Sequence, residues 1–169
     1  MKQKILLAII LVIACSFITR PFAYTLSVVD PARGTVKAGL EKATALIQTK
    51  GKQSTTASSY SIANTKSAIR IKLADAIFQS YSDKSTALLG PEDYLSLYKL
   101  TTSKTGRTFT IYSDGTANAT LIPITITTTD VQICRVVPKQ GLIPGEYAFV
   151  DRSTTTTDGN ITVWCFGID

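Results

Sequence analysis

Short runs of β-branched and aromatic residues, broken by turn-forming residues, constrain the fold of this chain more than any other feature. Threonine is abundant, and Val, Ile, Tyr and Phe are spread between Gly, Pro, Asp and Asn. Side chains of the first kind fit a pleated sheet, and residues of the second kind favour turns. The sequence therefore predicts an all-β fold, a single antiparallel β-sandwich or partly open barrel.

The N-terminus has the layout of a secretory signal peptide. Lys2 and Lys4 precede an apolar run that extends from Ile5 to Ile18, and a short segment ending at Ala23 follows. This run is shorter than the roughly 20 apolar residues that a membrane-spanning helix needs. We therefore expect a bacterial protein that is exported to the periplasm, the outer membrane surface or the exterior.

Two processing sites are compatible with this leader. Cleavage after Ala23 would remove residues 1–23 and leave one β-sandwich domain over residues 24–169. Alternatively, Val12-Ile13-Ala14-Cys15 resembles a lipobox, in which Cys15 is lipidated after residues 1–14 are removed. An uncleaved anchor is the third alternative, so membrane contact is expected only through the signal segment or a lipid anchor. Mass spectrometry of the mature N-terminus distinguishes these alternatives.

Charge gives no indication of a nucleic-acid partner. The full chain has a formal net charge of +6, but removing Lys2, Lys4 and Arg20 leaves 15 basic against 12 acidic residues. A net charge of +3 spread along the mature chain is typical of a solvated surface rather than a phosphate-binding stripe. The expected partner is an unidentified protein or glycan.

Histidine is absent from the sequence. This removes the commonest general base and the usual zinc ligand, and it lowers the expectation of catalysis without excluding it. Asp158-Gly159-Asn160 is the only hint of a calcium loop, and alone it indicates a turn. The sequence therefore predicts no cofactor and no metal site.

Cys134 and Cys165 form an even pair in an oxidising compartment, which favours a disulfide. Such a bridge would close a loop of about 30 residues and add roughly 3 kcal/mol by restricting the unfolded chain. The alternative is two buried free thiols on separate strands, because free cysteine packs well in protein cores.

Turn signals divide the chain into strands. Tyr24–Val29 and Thr35–Leu40 flank Asp30-Pro31-Ala32-Arg33-Gly34, which predicts a hairpin. Residues 36–48 are predicted as strand, although their apolar spacing also fits a helix. The polar stretch Gly51–Asn64 predicts a flexible loop. Further strands are predicted at Ile69–Leu73, Asp75–Ser80, Tyr94–Leu100, Arg107–Tyr112, Ile122–Ile126, Val131–Val137, Tyr147–Asp151 and Ile161–Ile168. Of these, Tyr94–Leu100 and Arg107–Tyr112 are expected to pair as a hairpin. The last two strands are expected to pair with each other and close the core.

One pattern superficially resembles serine β-lactamases and penicillin-binding enzymes. Ser96-Leu97-Tyr98-Lys99 fits S-x-x-K, and Lys104-Thr105-Gly106 fits K-T-G. Those enzymes place S-x-x-K at a helix start in a larger α/β domain, whereas both patterns lie here on one predicted hairpin. In addition, Ser113-Asp114-Gly115 lacks the final Asn. We therefore predict no catalytic residues from this pattern.

Acidic and aromatic residues supply the remaining candidates. Glu92, Asp93 and Glu146 are interpreted as solvated surface acids, because acidic side chains are mostly exposed. A glycosidase would need two carboxylates at a defined separation across a cleft. Tyr94, Tyr98, Phe109, Tyr112 and Trp164 could form a glycan- or peptide-binding platform, but packing in the sheet is the favoured interpretation.

Several segments are similar to a group of exported bacterial proteins of unknown role. They are Lys66-Ser67-Ala68-Ile69-Arg70, Tyr98-Lys99-Leu100 with the basic stretch to Arg107, Leu142-Ile143-Pro144-Gly145-Glu146-Tyr147-Ala148-Phe149, and Trp164-Cys165-Phe166-Gly167-Ile168-Asp169. The resemblance implies an all-β exported domain and strands over residues 36–48. It implies no activity, cofactor or catalytic residue.

Together these observations predict a non-catalytic exported β-sandwich that serves as a binding or structural module. One alternative is a small hydrolase or glycan-processing enzyme that uses carboxylates. Another is an accessory subunit of a surface or secretion assembly that takes a partner strand at an exposed sheet edge. A deep pocket with converging acids would favour the enzyme, and an unpaired, uncharged edge strand would favour the assembly subunit.

Overall fold

The computed structural model describes residues 24–48, 56–72, 75–82, 94–113 and 116–169. The predicted leader with Cys15 and Ala23 lies outside these residues, as do Glu92 and Asp93. Throughout the described part no helix is long and apolar enough to cross a membrane. The strands are β1 (Tyr24–Val29), β2 (Val36–Gly39), β3 (Glu41–Ile47), β4 (Ala57–Ile62), β5 (Arg70–Ile71), β6 (Phe78–Ser82), β7 (Leu95–Lys99), β8 (Thr101–Thr102), β9 (Arg107–Tyr112), β10 (Leu121–Ile122), β11 (Ile124–Asp130), β12 (Ile133–Pro138), β13 (Gly145–Asp151) and β14 (Ile161–Ile168).

The first sheet has five antiparallel strands in the order β11-β12-β6-β1-β2. Its β1–β2 hairpin is confirmed, and the turn chemistry explains it. The Asp30 Oδ1 atom accepts a hydrogen bond from the Ala32 N–H at 2.8 Å, and the Gly34 N–H donates to the Asp30 carbonyl at 2.8 Å. Gly34 has a φ of 66°, a left-handed conformation that glycine adopts without steric cost.

The second sheet follows the order β10-β7-β13-β14-β3-β4-β9-β8, and β5 runs parallel to β14 beside it. Only Leu100 separates β7 from β8 in sequence, yet these strands lie near opposite ends of that order. The sheet therefore curls strongly into a half-barrel. The result is the all-β sandwich or partly open barrel that the sequence predicts.

The hydrophobic core has two parts, one on each face of β13 and β14. Between the sheets, the Phe78 ring centroid lies 4.9 Å from that of Phe149 and 4.8 Å from that of Phe166. Inside the half-barrel, Phe109 lies 5.2 Å from Tyr60 and 5.3 Å from Tyr98, measured between ring centroids. Each such aromatic pair adds about 0.5–1.5 kcal/mol beyond the area that it buries.

Residues 36–48 form β2 and β3, so the helix alternative for this segment is wrong. The chain leaves the first sheet after β2 and enters the second at β3, with Leu40 at the crossing. Leu40 is buried, and its N–H donates to the Leu26 carbonyl at 2.8 Å. Its role is to anchor the crossing between the two layers.

The predicted loop over Gly51–Asn64 is wrong for residues 57–62, which form β4 between β3 and β9. Tyr60 and Ile62 are buried in the half-barrel core, and Ser59 and Ser61 alternate to the other face. Residues 51–55 lie outside the described residues.

The predicted pairing of Tyr94–Leu100 with Arg107–Tyr112 is also wrong in part. Strand β7 pairs with β13 and β10, and only the two residues of β8 pair with β9. The turn between β8 and β9 requires Gly106, because a Cβ there would lie 2.5 Å from the Ile62 carbonyl oxygen. The hairpin is therefore shorter than predicted and packs tightly against β4.

The predicted pairing of the last two strands is confirmed. Strand β13 pairs with β14 from Gly145 opposite Ile168 to Asp151 opposite Thr162. Seven of the eight residues of β14 are buried, because alternate side chains enter the two parts of the core. The strands predicted at Ile69–Leu73 and Asp75–Ser80 are also present, but with changed bounds, as β5 (Arg70–Ile71) and β6 (Phe78–Ser82).

Candidate functional site

Five charged side chains gather where the starts of β3, β5, β9 and β13 meet the end of β14. We call them the charge cluster: Glu41, Arg70, Arg107, Glu146 and Asp169. Four of them lie at or beside the first residue of a strand, and all five are brought together by strand pairing between distant parts of the chain. This is the densest group of ionisable side chains in the described residues.

Arg107 lies at the centre of the charge cluster and is fully buried. Its Nη2 atom is 3.1 Å from Glu41 Oε1, and its Nη1 atom is 3.5 Å from Glu146 Oε2. The guanidinium also donates to the carbonyls of Asn64 and Ala63, at 3.1 and 3.2 Å. A buried guanidinium needs several acceptors to offset its lost hydration, and here the two carboxylates and two carbonyls supply them.

Glu41 and Glu146 both accept hydrogen bonds from Ser67. The Ser67 N–H donates to Glu146 Oε2 at 2.8 Å, and its hydroxyl donates to Glu41 Oε2 at 2.6 Å. Burial alone would raise the pKa of Glu41, but hydrogen bonds from Ser67, the Ala68 N–H and Arg107 outweigh it and lower the pKa. Glu41 is therefore ionised at neutral pH. Its hydrogen bonds to Ser67 and Ala68 hold the β4–β5 connection against the second sheet.

Arg70 bridges the cluster to the last residue of the chain. It donates to Glu146 Oε1, and its Nη2 atom lies 2.6 Å from Asp169 Oδ1. This hydrogen bond raises the pKa of Arg70 and lowers that of Asp169. Gly167 lies beneath the guanidinium, and a Cβ there would overlap it. Arg70 is thus held by two carboxylates, one on β13 and one just after β14.

A cleft of about 420 Å³ opens beside the charge cluster. We call it the cationic cleft, because its charged lining residues are Lys66, Arg70, Lys99 and one acid, Glu146. Threonine and serine side chains of the β4–β5 and β8–β9 connections complete the wall, together with Leu100 and Gly145. The cleft and the cluster share Arg70 and Glu146.

The cluster's geometry does not suit acid–base catalysis by carboxylates. Glu41 and Glu146 converge, but both contact Arg107, and the pKa of Glu41 is lowered rather than raised as a general acid requires. The S-x-x-K pattern fails on geometry as well. Ser96 and Lys99 are three residues apart on β7, so their side chains leave opposite faces of the sheet. The K-T-G residues lie in the β8–β9 turn.

The structure holds Cys134 and Cys165 as free, buried thiols, which corrects the favoured disulfide. Cys134 lies on β12 in the first sheet, whereas Cys165 lies on β14 and enters the core of the half-barrel, on the face turned away from the first sheet. The pair cannot bridge because the body of the second sheet separates the two thiols. Burial raises the pKa of Cys165 to about 12, so this thiol is unreactive in the folded protein.

The aromatic candidates do not form a surface platform. Tyr98, Phe109 and Trp164 are buried in the two parts of the core. Tyr94 is half-buried, and Tyr112, at 40% exposure, is the most accessible of the five. This agrees with the packing interpretation of these residues.

Three further features bear on binding chemistry in the described residues. Within the described residues, no three His, Cys, Asp or Glu side chains lie together in a group that could hold a metal ion. Asp151 is fully buried, and its Oδ1 atom accepts from the Ser153 N–H at 2.8 Å, which caps a turn of 3₁₀ helix over Arg152–Thr154. Gly159 has a φ of 78°, which fits the turn predicted at Asp158-Gly159-Asn160.

Sequence reasoning missed the charge cluster. Glu146 follows Pro144-Gly145 and was expected to be a solvated acid, yet it is 5% exposed. Arg107 could have been found, because Phe109 shares its strand face, and a charged residue at an inward position signals a buried ion pair. No such signal marks Glu41 or Ser67, whose contacts come from distant segments.

No protein-family model matches this chain, and no curated protein matches it. The resemblance to exported bacterial proteins of unknown role therefore stays a prediction.

Proposed function

We propose that this protein is an exported, non-catalytic β-sandwich, a binding or structural module of the bacterial envelope or exterior. We further propose that it binds by accepting an extended partner segment along β11, as an accessory subunit of an assembly would. One observation carries the proposal: β11 is a long edge strand that lacks the usual protection of sheet edges.

Strand β11 differs from the other described sheet edges. It has seven residues, mostly Ile and Thr, and its single charge is Asp130 at the end. The opposite edge of the same sheet, β2, has four residues and carries Lys37. The outer strands of the second sheet, β10 and β8, have two residues each. Proteins commonly protect edges by shortness, charge or proline, and only β11 has none of these within its first six residues.

The register shows which backbone groups of β11 face outward. Ile124 lies opposite Pro138, which has no N–H, and the Lys139 N–H donates to the Pro123 carbonyl at 2.8 Å. Ile124 and Pro138 are therefore a non-hydrogen-bonded pair, and the pattern alternates along the strand. The N–H and C=O groups of Ile124, Ile126 and Thr128 consequently point away from β12, where an added strand would pair with them.

The side chains hold this edge in place. Ile124 and Ile126 pack against the core between the sheets, and Thr125 and Thr127 are exposed on the outer face. A partner strand would therefore meet a fixed row of donors and acceptors, at little cost in ordering β11. The charge cluster supports the non-catalytic part of the proposal, because each of its three acids is paired with an arginine.

Site-specific photo-crosslinking in producing cells tests strand addition. A photoreactive residue at Thr125 is expected to give a defined adduct, and Thr127→Lys should reduce it strongly, because lysine at an edge opposes strand pairing. The matched control is Thr101→Lys, which places the same charge on the exposed two-residue strand β8.

Hydrogen exchange gives the second readout. The amides of Ile124, Ile126 and Thr128 should exchange quickly in the isolated protein and be protected in the adduct-forming complex. An adduct that survives Thr127→Lys unchanged, or outward amides that remain unprotected in the complex, would overturn strand addition at β11.

A further inference from the structure

The lining of the cationic cleft has more basic than acidic side chains. Three basic side chains line it, Lys66, Arg70 and Lys99, against the single carboxylate of Glu146. That carboxylate is already shared between Arg70 and Arg107. Little of its charge is left to balance the lysines.

The two lysines are held less closely by acids than Arg70 is, and the charge of Lys66 only contributes to the lowering of the Asp169 pKa. Among the described residues, no carboxylate lies within ion-pair distance of Lys66 or Lys99, whereas Arg70 is held by Glu146 and Asp169. Lys66 is exposed, and Lys99 is half-buried at the end of β7. Their ammonium groups are therefore available to an oxyanion from outside.

The backbone fixes one wall of the cleft. Lys99 is paired with Tyr147 across β7 and β13, and its N–H donates to the Thr120 carbonyl at 2.8 Å. Gly145 lies beneath its aliphatic stem, where a Cβ would be 3.3 Å from Lys99 Cε. With a φ of 152°, Gly145 also has a conformation that other residues rarely adopt. The stem thus lies against the backbone, which limits where the ammonium group can be.

The charge cluster positions the part of the lining that carries Lys66. Lys66 directly precedes Ser67, whose N–H and hydroxyl are held by Glu146 and Glu41. The hydroxyls of Thr65, Thr102 and Ser103 add neutral polar groups to the lining. The cluster therefore holds the segment that carries Lys66 against the rest of the cleft.

We propose that the cationic cleft is a binding site for an oxyanion group, a carboxylate, sulfate or phosphate carried by a small ligand such as an acidic sugar. Lys66 and Lys99 contact the anion from two sides, and Arg70, held by Glu146 and Asp169, forms the basic floor between them. The other members of the charge cluster act as the scaffold that holds Arg70 and the segment carrying Lys66 in place. This proposal is independent of strand addition, because the cleft belongs to the second sheet and β11 to the first.

Isothermal titration calorimetry of the purified exported protein at low salt tests the site. The probes are digalacturonate for carboxylate, galactose 6-sulfate for sulfate, inorganic phosphate, and cellobiose as the neutral control. At least one oxyanion probe should bind, more weakly as salt is raised, while cellobiose should not. The double variant Lys66→Gln/Lys99→Gln should weaken that binding about tenfold or more.

The matched control is Lys72→Gln/Lys139→Gln, which removes two exposed lysines outside the cleft and should leave the affinity unchanged. The single variant Lys66→Gln keeps the test valid if the double variant unfolds, and thermal melts check both. Absence of binding by all three oxyanions, or equal weakening by the cleft and control variants, would overturn the proposal. Crosslinking at Thr125 in the cleft variant separates its failure from that of strand addition.

Discussion

At the scale of single residues, Arg107 shows how a buried charge is tolerated in a small β-domain. Its guanidinium is removed from water and meets two carboxylates and two backbone carbonyls instead. Such a cluster adds little net stability compared with an apolar core, but removing one partner leaves the others uncompensated. The arrangement is therefore sensitive to single substitutions.

Replacing Arg107 with methionine should destabilise the protein strongly. The substitution keeps most of the side-chain volume but leaves Glu41 and Glu146 without their shared partner, which costs about 3–5 kcal/mol. Urea denaturation monitored by circular dichroism measures the loss in the free energy of unfolding. Arg33→Met, in the exposed β1–β2 turn, is the control and should change it by less than about 0.5 kcal/mol. Equal effects of the two substitutions would contradict this role of Arg107.

Acid should weaken the folded state through the same cluster. The pKa values of Glu41 and Asp169 lie below their ordinary values of 4.5 and 3.8 in the folded protein. Their contribution to stability is therefore fully present above those ordinary values and is lost as pH falls through the lowered ones. Thermal melts across the acidic range should show a falling Tm, with a shallower fall in Glu41→Gln. A wild-type Tm that stays level or rises on acidification would refute this.

At the scale of elements, the stability of the fold depends most on β14. It pairs with β13, β3 and β5, and its side chains enter both parts of the core. Trp164 and Phe166 pack between the sheets, and Cys165 packs inside the half-barrel. No other described strand pairs with three neighbours in this way.

Deleting Trp164–Asp169 should abolish cooperative unfolding, because the truncated chain loses the centre of both parts of the core. The expected result is a broad, featureless thermal transition monitored by near-ultraviolet circular dichroism. Deleting Asp169 alone removes one partner of Arg70 but keeps β14, so that variant should still melt sharply. A sharp transition in the longer deletion would show that β14 is dispensable.

Elements with local signals were predictable from the sequence, and those defined by distant partners were not. The β1–β2 hairpin has Pro31 and Gly34 in its turn, and β13 and β14 have alternating aromatic residues. Strand β4 has a serine-rich sequence of low strand preference, and pairing with β3 and β9 on both sides overrides it. The end of β7 at Lys99 and the start of β8 at Thr101 likewise depend on the curl of the sheet.

The candidate site was less predictable than the fold for the same reason. Each residue of the charge cluster is ordinary in its local sequence, and the ion-paired partners lie 39 or more positions apart along the chain, the shortest separation being that of Arg107 and Glu146. Only the inward position of Arg107 on β9 carries a local signal. The two lysines of the cationic cleft have none, because their lack of an ion-pair partner among the described residues is a property of the folded chain.

At the scale of the whole molecule, the two parts of the core lie on opposite faces of one strand pair, β13 and β14. The first sheet covers one face of β13 and β14, and the half-barrel closes over the other. Binding surfaces proposed for β11 and for the cationic cleft lie on different sheets of this single body. Each can therefore be altered without removing the other.

The position of β14 in the chain has a consequence for how the protein is made. Ribosomes deliver β14 after every other described strand, yet neither part of the core is complete without it. A nascent polypeptide therefore cannot complete either part of the core before β14 emerges. Such a delay would be compatible with the export that we propose, because translocated chains cross the membrane before they fold.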